Sequence, residues 1–81
     1  MQIIYTNSSW TALANTSSVA FQNVGAHPVE IGLGTDETSP TVGFQYFPGF
    51  GDRGALTVIF PGTTGNTIWG RSSANSAIAV S

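Results

Sequence analysis

Apolar and polar residues alternate in short runs along this chain, and each run stops at a cluster of Gly, Pro, Asn or Ser. The cleanest run is 28–33, where Val29, Ile31 and Leu33 point one way and Glu30 and Gly32 the other. That period of two is the signature of a half-buried strand. The same reading predicts strands at 2–6, with Ile3 and Tyr5 opposite Ile4, and at 19–24, with Val19 and Phe21 opposite Ala20 and Gln22. Further strands are expected at 42–47, at 55–60 with Leu56, Val58 and Phe60 on one face, at 66–71, and at 77–81 with Ile78 and Val80 inward. Helical pattern is nearly absent. The segment 10–14 is rich enough in Ala and Leu for one helical turn, but its surroundings are dense in Ser, Thr and Asn, which favour caps and turns.

The separators read as turns and loops. Residues 23–28 and 34–40 link strands, and Pro48-Gly49 and Pro61-Gly62 pair a preset φ with a residue that accepts positive φ. About seven to eight short strands at even spacing predict an all-β chain: one domain over residues 1–81, a compact antiparallel β-sandwich or barrel.

Size sharpens this picture. A chain of 81 residues buries only roughly 60% of its unfolded surface, so small domains lean on disulfides, metals or partner chains. Cysteine is absent and His27 is the one histidine, which removes disulfides and thiolate or His-rich metal sites. Association with other copies remains. Charge points the same way. Only 7% of residues are charged and none is lysine, against about 25% in ordinary domains. Natural sheets guard their edges with charge, lysine above all, so edges this poor in charge are expected to be paired or covered. A net charge of −2 without a basic run argues against nucleic acid and against anionic membrane surfaces. No apolar run reaches the ~20 residues of a membrane span. No export signal is visible after Met1, so synthesis in the cytoplasm is expected.

Candidate chemistry is thin. Gly49-Phe50-Gly51-Asp52-Arg53-Gly54 matches the dinucleotide pattern G-x-G-x-x-G in letters, but a strand is expected after it instead of a helix, and Asp52 would repel a pyrophosphate. It reads as a hairpin or loop whose tip Asp52 and Arg53 solubilise. His27 precedes Pro28 in a turn and no serine sits in a nucleophile elbow. Asp36 and Glu37 are adjacent loop acids without the spacing of a calcium loop. The chain is therefore read as non-enzymatic, with no cofactor and no metal. Aromatics are the richer signal. Trp10, Phe44, Tyr46, Phe47, Phe50 and Trp69 are candidates for core or for an interface, where aromatic side chains carry most of the binding energy. Phe44 and Tyr46 share one strand face and Phe47 lies opposite. Arg71 follows Trp69 by two, which places them on one face as a stacked pair or a subunit contact.

With the strands placed, the chain resembles small virion proteins of tailed bacteriophages, of the capsid decoration (cement) and head-fibre type. The resembling stretches are Ser9-Trp10-Thr11-Ala12-Leu13, Val19-Ala20-Phe21-Gln22-Asn23-Val24-Gly25 and Pro28-Val29-Glu30-Ile31-Gly32. Phe60-Pro61-Gly62, Thr67-Ile68-Trp69-Gly70-Arg71-Ser72 and Ala77-Ile78-Ala79-Val80 complete them. The resemblance implies a β-sandwich or jelly-roll, commonly a homotrimer, seated on the major capsid protein at the outside of a phage head. There it would clamp capsomer joints passively. Location in the virion follows, after synthesis in the bacterial host. The same group includes tail and fibre proteins, which makes a receptor- or carbohydrate-binding module the alternative, with Trp69 or Tyr46 as stacking platform.

Overall fold

A computed structural model describes residues 2–61 and 65–81. Among them are eight strands and one helical turn: β1 (Gln2–Thr6), β2 (Thr11–Asn15), β3 (Ser18–Asn23), β4 (Val29–Gly34), β5 (Phe44–Tyr46), β6 (Gly51–Ala55), α1 (Leu56–Ile59), β7 (Thr67–Arg71) and β8 (Ser76–Val80). They form two four-stranded sheets, ordered β1-β8-β3-β6 (sheet A) and β2-β7-β4-β5 (sheet B), with every pair antiparallel. The first strand pairs with the last, the second with the seventh, the third with the sixth and the fourth with the fifth. This nesting, a long hairpin rolled into two layers, is the jelly-roll arrangement of the β-sandwich.

The core lies between the sheets. Val19 and Phe21 of β3 and Ile78 and Val80 of β8 face Val29, Ile31 and Leu33 of β4 and Ile68 of β7, all buried. The alternation along 28–33 therefore reports the inner face of a central strand. Part of sheet B's outer face is covered by its own chain: the loop after β4 folds back so that Pro40 and the Val42 carbonyl lie over Gly32, where a Cβ would come within 2.7 Å and 2.6 Å of them.

Several expectations are corrected. The segment 10–14 makes no helical turn; from Thr11 it is strand β2, because pairing with β7 outweighs the local preference of Ala and Leu. The segment 55–60 is not a strand. Pairing with β3 ends at Ala55 and the chain coils into α1, closed by the Phe60 N–H donating to the Leu56 carbonyl at 2.9 Å. Leu56 and Phe60 are buried at helical spacing while Val58, expected inward, is 75% exposed. Asp52 and Arg53 are not a turn tip but the middle of strand β6, and the strand expected over 42–47 is confined to β5. The Pro61-Gly62 turn runs into residues outside those described.

Candidate interaction surface

Sheet A carries exposed apolar side chains on its outer face, at Ile3, Tyr5 and Val24. Register sets the rows of side chains on that face. Tyr5 stands beside Ala77, and Ile3 beside Ala79, which in turn neighbours Gln22 and then Gly51. Ser81, Ala20 and Arg53 make the next row. The middle of the face is thus built of small residues around Gln22, with Ala77 and Ala79 buried among their neighbours. Its flanks carry Ile3, Tyr5 and Val24, exposed by 44%, 79% and 48%. β1, β8 and β3 contain no charged residue; Arg53 on β6 is the charge the face carries.

At one end the face meets an aromatic turn. Phe47-Pro48-Gly49-Phe50 closes with the Phe50 N–H on the Phe47 carbonyl at 3.0 Å, and Gly49 takes φ +88°. Pro at the second position and a left-handed glycine at the third are the requirements of a type II turn. Phe47 and Phe50 project from it, 55% and 67% exposed.

A buried asparagine anchors that end. The Asn23 side chain is fully buried and its amide donates to the carbonyls of His27, at 2.8 Å, and Tyr46, at 2.9 Å. Its oxygen accepts from the Gly25 N–H at 3.0 Å, and the Ser76 hydroxyl lies 3.2 Å away. Both N–H groups and the oxygen of the amide thus have partners, and the Ser76 hydroxyl also lies 2.8 Å from the His27 carbonyl. Asn23 also holds the aromatic turn by its backbone, donating to the Phe50 carbonyl and accepting from the Gly49 N–H, each at 2.8 Å. One residue therefore fixes β3, β5, β8 and both turns at this end.

Tyr46 and Asp52 close the open side of the sandwich between β5 and β6. The Tyr46 ring meets Phe21 edge-on, with centroids 5.0 Å apart, and its hydroxyl donates toward Asp52 at 3.4 Å. Burial, then the negative charge of Asp52 and its hydrogen bond, push the Tyr46 hydroxyl up to about 12. Phe44 is half exposed and packs its ring against Phe60 at 5.8 Å. Phe44 and Tyr46 thus share the inward face as the alternation predicts.

Sheet B carries a second, polar feature on its outer face. Arg71 pairs with Glu30 on the neighbouring strand at 2.7 Å and lies 4.3 Å over the ring of Trp10. The expected Arg-Trp stack exists, but with Trp10 in place of Trp69. Trp69 instead crosses over Gly32, its indole N–H donating to the Thr35 carbonyl at 3.0 Å. Long-range strand pairing decides this partner, and spacing along the chain cannot show it. Ser8, Pro28, Gln45, Ser72 and Ser73 complete a cleft beside the pair.

The remaining acids have structural partners or face water. Asp36 accepts from the Thr67 hydroxyl at 2.7 Å and from the Asn15 amide, tying the loop after β4 to β2 and β7. Glu37 and His27 are exposed. Among the described residues no three His, Cys, Asp or Glu side chains are grouped to hold a metal ion, and no helix is long and apolar enough to cross a membrane.

The structure brings Phe47 and Phe50 together in one turn and Trp10 and Arg71 together on sheet B, while Tyr46 and Trp69 are largely occupied in packing and Phe44 stays half exposed. Sequence reasoning passed over Asn23 and Val24. Asn at a position two before Gly25 is the signal for the first, since such a side chain caps its own turn. Comparison with protein-family models, with curated proteins and with solved structures gave no match.

Proposed function

We propose that this chain is a structural protein of a phage virion, a decoration protein that lies on the outside of the head and ties neighbouring capsomers together. It is an assembly unit that turns over no substrate. One observation supports this reading: sheet A's outer face carries exposed Ile3, Tyr5 and Val24 and a single charge, Arg53, whereas the loop after β4 lies over part of sheet B's outer face. Contiguous exposed apolar surface on a small domain marks a place where another protein sits. The jelly-roll nesting and the two exposed phenylalanines at the end of the face are consistent with it. On this reading the occupant is the major capsid protein, and the copies group as trimers.

Co-sedimentation with separated heads and tails of the parent phage tests it. Saturable pelleting with expanded heads, lost in Gln22→Glu at the middle of the face, is the expected result. Binding to neither particle refutes the virion assignment. A second reading, a receptor- or carbohydrate-binding module of a tail or fibre, is favoured by the polar cleft lined by Arg71, Glu30 and Gln45, whose Arg71 lies over the Trp10 ring. Pelleting with tails alone, with glycan binding lost in Trp10→Ala, would select it.

A further inference from the structure

The two sheets have four edges, and three of them are guarded. β6 carries Asp52 and Arg53, followed by Gly54 at φ +128°. β2 breaks register between Ala12 and Ala14. β5 is three residues long. Charge, bulges and shortness are the devices that stop an edge strand from pairing with another chain. β1 has none of them. It runs Gln2-Ile3-Ile4-Tyr5-Thr6 in unbroken register with β8, without charge, proline or glycine. Alternate residues turn their N–H and C=O groups away from β8 toward solvent.

We propose that β1 pairs antiparallel with β1 of a second copy of this chain, joining two A sheets into one sheet of eight strands. The sequence of the strand is self-complementary about Ile4. Centring a two-fold axis there sets Gln2 opposite Thr6, Ile4 opposite Ile4, and Ile3 opposite Tyr5 of the other copy. Ile3 and Tyr5 are the exposed outer-face residues of β1, and an aromatic next to a β-branched side chain is a favourable cross-strand pair. Both partners bring an uncharged surface, since all six charges lie on β4, β6 and β7 or in the loop after β4, so nothing repels across the seam. The contact is isologous and closes at two copies.

Its area sets its strength. Two edges about 17 Å long, with two Tyr and two Ile side chains, bury well under the ~1,200 Å² of a stable complex. The pair is a weak dimer in solution and gains hold when copies are already side by side on a surface. It does not depend on the virion assignment, and its two-fold symmetry distinguishes it from the trimer proposed above.

Cysteine cross-linking reads the register directly, because the chain has no cysteine of its own. Directly opposed Cβ atoms lie ~4.5–5.5 Å apart, which a shift of about 1 Å brings to the ~3.5–4.5 Å of a disulfide, whereas diagonal neighbours lie ~7–8 Å apart. Ile3→Cys and Tyr5→Cys, mixed under mild oxidation, are expected to join to each other at least about tenfold faster than either joins to itself. Val58→Cys, on the exposed face of α1, supplies the rate of random collision. Faster self-joining of either variant, or mixed joining no faster than that of Val58→Cys, overturns the proposal. Circular dichroism and unfolding midpoints confirm that the variants fold. In parallel, Tyr5→Lys should lower the dimer fraction seen by sedimentation at matched concentration. Cross-linking in solution without head binding would refute the virion assignment alone, and head binding without cross-linking would refute the edge pairing alone.

Discussion

Replacing Asn23 by aspartate changes one NH₂ group to oxygen and leaves the shape intact. In the native chain that NH₂ donates to the carbonyls of His27 and Tyr46 at 2.8 and 2.9 Å, in a site with no solvent exposure. A carboxylate there sets oxygen against oxygen twice. Each buried group left without its partner costs about 1–3 kcal/mol, so Asn23→Asp should lose about 3 kcal/mol or more at pH 7. A domain of this size holds only about 4–12 kcal/mol in total, and a loss of 3 kcal/mol lowers the melting temperature by about 12–24 °C. The loss is also pH-dependent. Burial and the two carbonyls raise the folded-state pKa of the introduced carboxyl above its unfolded value of about 3.9. The folded variant then binds more protons than the unfolded chain, so its stability is greatest below about pH 4 and declines as pH rises toward the folded-state pKa. Urea denaturation of both proteins at several pH values between 3 and 8 measures this. A variant within about 1 kcal/mol of the parent at pH 7, or one whose deficit is flat over that range, would refute the role given to Asn23. The NMR ring signals of Phe47 and Phe50 should broaden along with it, because the same residue pins their turn.

Two glycines of the aromatic turn region should respond in opposite degree. Gly49→Ala meets no atom within 4 Å but must hold φ +88°, and should cost only about 1 kcal/mol. Gly51→Ala puts a Cβ into the Phe21 carbonyl of β3, so it should open the β3–β6 pairing, seen as lost amide protection across 18–22. Tyr46 should resist ionisation until about pH 12 in a spectroscopic titration, and Asp52→Asn should lower that value. Because its folded-state pKa is raised from 10.0 to about 12, the stability linked to Tyr46 is intact below pH 10 and is lost as pH climbs through that interval. The Glu30–Arg71 pair is partly exposed, at 33% and 43%, so a double-mutant cycle should return less than about 1 kcal/mol.

Strands that combine clean alternation with firm turn residues were legible from the residues alone. β4 is the clearest: its inward Val29, Ile31 and Leu33 are buried as the pattern requires. Positions 56–60 show why pattern can mislead. Leu56 and Phe60 fit both a strand face and a helical step of four, and only Val58 distinguishes the two; the structure turns it to solvent. β2 was hidden because Ala and Leu favour helix locally, and what makes them a strand is β7, which follows more than fifty residues later. The partner of Arg71 and the make-up of sheet A's outer face depend on the same distant pairings. Composition did show that edges would lack charge, but only the sheet order reveals that the charges present guard β6 and leave β1 open.

The nesting of the strands also dictates a timetable. β1 can find its place only beside β8, and β8 is synthesised last of the eight. At translation speeds of about 5–20 residues per second, the Ile3-Ile4-Tyr5 segment waits on the order of 4–15 s for its mate. The order of synthesis thus leaves β1 waiting longest of all the strands, and the seam between the first and the last strand is the one that closes the fold.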